Sequence, residues 1–206
     1  MKWSIIILSI LTLGIGISAN TARQQGYQVG DYATDFNLEG VDGKTVSLSD
    51  YREAEGYIVI FTCNTCPYAK MYEQRIIDLH KTYADKGFPV VAINPNCPER
   101  SPGDAMSEMK KRAEDKGFGF AYLQDVTQET TKAYGATNTP QVFLLDKESS
   151  GKLKVAYIGT IDNNYKDAAK ANVHYVQAAV DALIEGKKVP ETKTKAIGCT
   201  IKWKQA

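Results

Sequence analysis

Tyr57-Ile58-Val59-Ile60-Phe61-Thr62-Cys63-Asn64-Thr65-Cys66-Pro67 changes its pattern partway along. The first five side chains are apolar without a break, as in a strand buried on both faces. Past Pro67 the spacing switches, and Ala69, Tyr72, Ile76, Leu79 and Tyr83 recur every three or four residues, a helix that Gly87 ends. Two cysteines therefore stand at a strand-to-helix junction. The start of a helix offers unpaired N–H groups that favour a thiolate. Cys66 falls in phase with the buried stripe, whereas Cys63 sits at the helix entrance. The expectation is one reachable sulfur, Cys63, and one shielded sulfur, Cys66, able to make and break a disulfide.

Outward from that junction the chain alternates strand and helix signals. Upstream, Phe36 and Leu38 and then Val46 and Leu48 alternate with polar residues around Asp42-Gly43, a hairpin signature. Downstream, Pro89 to Ile93 is a second apolar run, so a strand–helix–strand crossover with parallel strands is expected. Ser101-Pro102 reads as a helix opening with Asp104 in its first turn and Met106, Met109 and Ala113 as its stripe. Ala121 to Leu123 is a short strand, and Asp125 to Tyr134 a short helix stopped by Gly135. Gln141 to Leu145 and Val155 to Ile158 form a strand pair. Asn164 to Glu185 is the last helix, with Val173, Val176, Val180 and Leu183 inward.

The N-terminus reads as an export signal. Lys2 precedes the apolar stretch Ile5 to Ile17, which is shorter than the roughly 20 residues a membrane span needs. Cleavage is expected near Ala19 or Ala22, with an uncleaved membrane anchor as the alternative. The organisation expected is thus a signal peptide over 1–22, one domain over 27–186 and a Lys/Thr-rich C-terminal extension over 187–206. Charges nearly cancel, at a formal net charge of +1, and no basic run suggests nucleic acid. Four cysteines suit an oxidising compartment such as the periplasm.

Phe61-Thr62-Cys63-Asn64-Thr65-Cys66-Pro67, Ala92-Ile93-Asn94-Pro95-Asn96, Ala133-Tyr134-Gly135, Thr139-Pro140-Gln141-Val142-Phe143-Leu144-Leu145-Asp146 and Ile158-Gly159-Thr160-Ile161-Asp162 together resemble the thioredoxin superfamily. The likeness is to its exported redoxin branch, which includes alkyl hydroperoxide reductase and thiol-specific antioxidant relatives, and it spans residues 30 to 185. It implies an α/β thioredoxin-like fold, a central mixed β-sheet flanked by helices, with an N-terminal β-hairpin extension. It also implies thiol–disulfide oxidoreductase activity without a cofactor. In that resemblance Cys63 matches the attacking cysteine and Cys66 the resolving one. Pro140 matches a proline held in cis, which turns the Thr139 backbone toward an incoming peptide that pairs as an added strand. Thr139, Pro140, Asn64 and Thr65 are the substrate-binding candidates, and the implied partners are disulfide-containing proteins and a thiol reductant. The chain departs from the family at Thr62, where an aromatic residue is common, and at Tyr57, where many thioredoxins carry a buried acid. Proton transfer to Cys66 then lacks a side-chain carrier, and water is left to do it.

Two other functions compete. Peroxiredoxin relatives need a Pro-x-x-x-Thr-x-x-Cys segment and a distant arginine; Tyr57 to Cys63 has no such segment and no arginine follows Arg112. A copper-handling protein would use the soft thiolates for Cu(I), but such relatives space the cysteines by three residues and add a histidine. Zinc needs further ligands, and only His80 and His174 exist; His174 reads as solvated and His80 as a packing residue. Cys97 and Cys199 remain open: additional redox partners for Cys63, a structural Cys97–Cys199 bridge, or two unpaired thiols. Around the latter, Ile197, Cys199, Ile201 and Trp203 alternate as if one face of an extended segment packs on the body.

Overall fold

The computed structural model describes residues 26–205. The expected signal segment lies outside them. Gly56–Phe61 forms strand β4, after three short strands, β1 (Tyr32–Ala33), β2 (Leu38–Gly40) and β3 (Thr45–Val46). Helix α1 (Pro67–Tyr83) leads through a short 3₁₀ turn to Gly87, whose left-handed φ of 85° lets the chain reverse into β5 (Val90–Asn94). Helix α2 (Met106–Lys116), β6 (Ala121–Gln124), α3 (Glu129–Tyr134) and the short β7 (Asn138–Thr139) follow. The chain closes with β8 (Gln141–Lys147), β9 (Leu153–Gly159), α4 (Tyr175–Ile184) and β10 (Cys199–Thr200).

Eight strands make one mixed sheet in the order β1-β9-β8-β4-β5-β6-β2-β3. β4, β5 and β6 run parallel, as the crossover signal requires, while β8 pairs antiparallel to β4 and β9 to β8. The β2–β3 hairpin is not a free extension: β2 pairs with β6 and lengthens the sheet. Both faces are covered, which explains the unbroken apolar run. Ile58, Ile60, Val90, Ala92, Val142 and Leu144 pack against Tyr72, Ile76 and Leu79 of α1, Met109 of α2 and Val176 and Val180 of α4. Tyr57, Val59, Phe61, Val91, Ile93, Phe143 and Leu145 face the other way, onto Leu48, Phe36 and Tyr134. Burying each such side chain contributes roughly 1.5–3 kcal/mol before the entropy cost of ordering it.

Three helix boundaries differ from expectation, each because polar side chains bind backbone instead of solvent. Ser101-Pro102 opens only a 3₁₀ turn ending at Asp104, and α2 starts afresh at Met106, since Asp104 is drawn fully inside. Asp125 stays outside α3 and caps it, accepting from the Thr131 N–H and hydroxyl at 2.7 and 2.6 Å. The last helix is ten residues long and begins at Tyr175. Before it, Asn163 accepts from the N–H groups of Asn172 and Val173, Asn164 from those of Lys166 and Asp167, and Asp167 from that of Ala169. Val173 is consequently exposed rather than inward, and His174 is exposed ahead of the helix.

Candidate active site

Cys66 is the N-cap of α1, with Pro67 in the first turn, so the helix begins one residue beyond the motif. Cys63, three residues earlier, sits just past the end of β4. Neither sulfur is freely reachable: Cys63 is 5% and Cys66 3% exposed, which corrects the expectation of an open Cys63. The two cysteines pack with Ala69, under Tyr68 and Cys199. All four cysteines are free thiols.

Thr139 faces both sulfurs, across a cis Thr139–Pro140 peptide. Its hydroxyl lies 3.2 Å from Cys63 Sγ, and its carbonyl oxygen accepts from Cys66 Sγ at 3.1 Å. A hydrogen bond shared with Cys63 pulls Cys66 down to about 5, against burial and helped by the Cys199 thiol and the backbone of Ala69 and Cys199. The same bond, burial and the Asp104 carboxylate push Cys63 up. These opposite shifts describe one proton shared by two sulfurs and belong to the pair: the first proton leaves easily and the second is held. Thr139 locates the retained proton. Its carbonyl can only accept, so the sulfur against it keeps hydrogen, whereas its hydroxyl can donate to an anion. On that geometry Cys66 is the thiol and Cys63 the thiolate.

The Asn64 N–H and the Thr65 hydroxyl turn to Asp104, a carboxylate that the sequence placed in the first turn of a helix and that the structure buries fully. Asp104 accepts from the Asn64 N–H at 2.7 Å, the Thr65 hydroxyl at 2.7 Å, Asn94 at 3.2 Å, Asn96 at 2.9 Å and Ser101 at 2.6 Å. Burial pushes this carboxyl up, but the hydrogen bonds from Ser101, Thr65, Asn96 and Asn64 outweigh it and leave it below its ordinary value. Asn64 is buried, donating to the Gly103 carbonyl and accepting from the Tyr122 hydroxyl, while Thr65 stays exposed. Asp104 thus fixes the loop between the cysteines. The sequence signal for it was present only as a Ser-Pro-x-Asp turn next to Asn96.

Behind Cys63 lies a cavity of about 10 Å³, lined by Thr62, Ala69, Arg112, Phe118 and Tyr122, enough for the centre of one water. Cys66 is not part of its lining, so the cavity opens onto Cys63 and not onto the sulfur whose proton the sequence left to water. Arg112 Nε donates to Glu73 at 2.6 Å. Cys97 stands apart from the pair's sulfurs in its bonding: its thiol donates to Glu99 at 2.8 Å and its N–H to the Lys202 carbonyl at 2.9 Å. Cys199, by contrast, packs against the cluster of Cys63, Cys66 and Ala69, so the two outlying cysteines engage different partners. Tyr68 lies against Tyr165, with ring centroids 4.9 Å apart, whereas Tyr72 is buried and bonds Thr160 and Asp162. His80 is a packing residue, accepting from the Val90 N–H and set against Phe120. Among the described residues, no group of three or more His, Cys, Asp or Glu side chains is arranged to hold a metal ion.

A mixed sheet with a dithiol at the mouth of its first long helix, facing a proline turn, is the architecture of thioredoxin-like redoxins. Residues 29–156, more than half of the chain, match the model of the AhpC/TSA family, and the chain belongs to that family. The thiol-disulfide oxidoreductase ResA of Geobacillus thermodenitrificans (strain NG80-2) is 29% identical over 162 residues, covering 78% of this chain and 87% of that protein. A conserved protein of Geobacillus kaustophilus, known as a crystal structure, is 39% identical and superposes with a TM-score of 0.79 over 87% of this chain and 94% of its own. A thiol:disulfide interchange protein of Chlorobium tepidum TLS shares the fold at 22% identity and a TM-score of 0.53, over 69% of this chain and 93% of its own.

Proposed function

We propose that this chain is an exported thiol–disulfide oxidoreductase that exchanges a reversible Cys63–Cys66 disulfide with protein or small-molecule thiols. The observation that carries the reading is a pair of buried thiols packed together at the mouth of α1, each held by Thr139. In the reductive direction the Cys63 thiolate attacks a substrate disulfide and releases one substrate thiolate. Cys66, after losing its proton to water, attacks the Cys63 sulfur of the mixed disulfide; the second substrate thiolate leaves, and the Cys63–Cys66 disulfide remains. Oxidation of a substrate dithiol runs through the same atoms in reverse. Thr139 and Pro140 form the edge that orients a disulfide-bearing segment, with the exposed Thr65 beside it. A thiol reductant closes the cycle.

Export is supported by the Lys2 and Ile5 to Ile17 pattern and by the need for an oxidising compartment where such chemistry serves other proteins. The test uses a Cys66→Ser variant expressed in the native host. It should accumulate covalent adducts on Cys63 that dithiothreitol releases, and the double variant with Cys63→Ser should not. Insulin reduction by the purified wild type, with peroxide consumption as the control, separates this chemistry from a peroxidase. Peroxide turnover without disulfide exchange would overturn the assignment.

A further inference from the structure

The Cys63–Cys66 pair has a third cysteine packed against it. Cys199 packs onto the Cys63–Cys66–Ala69 cluster. It arrives there on β10, which runs antiparallel to β7 with Cys199 directly opposite Thr139. This is the edge on which an extended substrate would add as a strand. The chain's own C-terminal segment occupies it.

The segment is built in, not merely draped. Gly198 lies so close to the proline turn that a Cβ there would fall 2.1 Å from the Thr139 carbonyl oxygen. Asn138 donates to the Gly198 carbonyl at 3.1 Å, and the Ile201 N–H donates to the Thr137 carbonyl at 3.3 Å. The Lys202 N–H donates to Asn96 at 2.9 Å, and the Lys202 carbonyl accepts from the Cys97 N–H and from Gln128. Ile201 is buried. Cys199 itself is only half-buried, the most accessible of the three sulfurs.

We propose that Cys199 is a third redox cysteine, which takes over the disulfide from Cys63 and thereby locks the C-terminal strand across the substrate edge. The step rests on the dithiol function assigned above. Starting from the Cys63–Cys66 disulfide, the Cys199 thiolate attacks Cys66 Sγ; the Cys63–Cys66 bond breaks, the Cys66–Cys199 bond forms, and Cys63 leaves as a thiolate. The proton lost by Cys199 is matched by one that Cys63 can take up, and no electrons are gained or lost. The oxidised protein then holds a closed edge and presents its disulfide at the accessible sulfur. One thiolate of a reductant dithiol attacks Cys199 and Cys66 leaves as a thiolate; the reductant's second thiol then displaces Cys199, the reductant departs as its own disulfide, and the strand is released. Electrons enter at Cys199 and leave toward substrate at Cys63.

The test oxidises full-length protein with oxidised glutathione, quenches in acid, alkylates free thiols and maps linked peptides by mass spectrometry. Wild type should yield both Cys63–Cys66 and Cys66–Cys199 linkages. Cys63→Ser should yield Cys66–Cys199 without retained glutathione; glutathione fixed on Cys66 beside an alkylated Cys199 would overturn the proposal. Gly198→Ala pushes the strand off Thr139 and should cut the Cys66–Cys199 fraction about tenfold by lowering the local thiol concentration, while Cys63–Cys66 still forms. An unchanged fraction would mean that strand pairing does not deliver Cys199, and the proposal falls. Failure of wild type to form Cys63–Cys66 at all would instead strike the dithiol function itself.

Discussion

The mouth of α1 and the C-terminal strap over residues 193–205 meet at one cluster of cysteines, yet different forces hold them. Cys63 and Cys66 hang between β4, every residue of which is buried, and a helix whose Tyr72, Ile76 and Leu79 are locked into the same core. The strap buries one large side chain, Ile201, and is held besides by hydrogen bonds: Thr194 with Tyr157, Ile158 and Thr160 at its start, and backbone groups paired with Asn96, Cys97, Arg100, Gln128, Thr137 and Asn138 beyond. Apolar burial fixes a group once and for all; a neutral hydrogen bond contributes only about 0.5–1.5 kcal/mol net, because water competes for it. The reactive pair is therefore rigid and its cover exchangeable. A dithiol that must meet varied disulfides needs that division.

The sharpest way to break the comparison is to remove the rigid side's chemistry. Cys63→Ser should lower disulfide reduction by about 10³-fold or more, because a serine hydroxyl is not ionised near neutral pH, while circular dichroism stays native. Residual activity near wild type would show that Cys66 or Cys199 attacks substrate instead. Next in size is the titration of the reduced pair. Ultraviolet thiolate absorbance should rise in a first step near pH 5, far below the ordinary 9.0, and a second thiolate should appear only well above it. The first group has a depressed folded-state pKa. Its stabilisation of the reduced protein is thus full above the unfolded-state value of 9.0 and is lost as pH falls through about 5. A denaturation series showing no such loss in the reduced form, relative to the oxidised form, would remove the shared proton from the account.

The rigid half was legible in the sequence because its information is local. The apolar run of β4, the period switch after Cys66 and the glycine that ends α1 each report a neighbour's geometry within a few residues, and the β8–β9 pair was visible for the same reason. The alternation of Ile197, Cys199, Ile201 and Trp203 announced an extended segment but not its destination. Its register depends on Gly198 meeting Thr139 across most of the chain. The burial of Asp104, read only as a first-turn residue, was hidden for a related reason. A carboxylate in a first turn looks complete as it stands, and only the fold brings Asn64, Thr65, Asn94 and Asn96 to it. The shortening of α4 came from Asn163, Asn164 and Asp167 offering the backbone better partners than a helix would.

Asp104 sharpens the comparison from the rigid side. Asp104→Ala strips the acceptor from five donors at once, and even with partial repair by water the protein should lose about 3 kcal/mol of stability, read from a urea midpoint. Asp104→Asn keeps the shape but not the charge and should lose less. Because this carboxyl is held below 3.8, its contribution is present above that pH and fades as pH falls through the lowered value. The difference between wild type and Asp104→Asn should therefore shrink in acid. A constant difference would mean that the carboxylate is not ionised in the folded protein.

Gln128 tests the exchangeable side and carries the smallest effect. It is buried at a left-handed φ of 60°, and its side chain donates to the Pro95 and Lys202 carbonyls at 2.7 and 3.0 Å while accepting from the Lys204 N–H at 2.7 Å. A non-glycine residue pays about 1 kcal/mol to hold that backbone, and the clasp is what offsets it. Gln128→Ala keeps the strain and loses the clasp; Gln128→Gly loses the clasp but relieves the strain. Both should speed amide exchange of Lys202 and Lys204, whereas Ala should lower global stability by about 1–2 kcal/mol and Gly by about 1 kcal/mol less. Equal stability losses with faster exchange would mean that the left-handed turn costs nothing here. Slow exchange in both variants would mean that the strap is held without Gln128, by its other contacts at Asn96, Cys97, Thr194 and the proline turn.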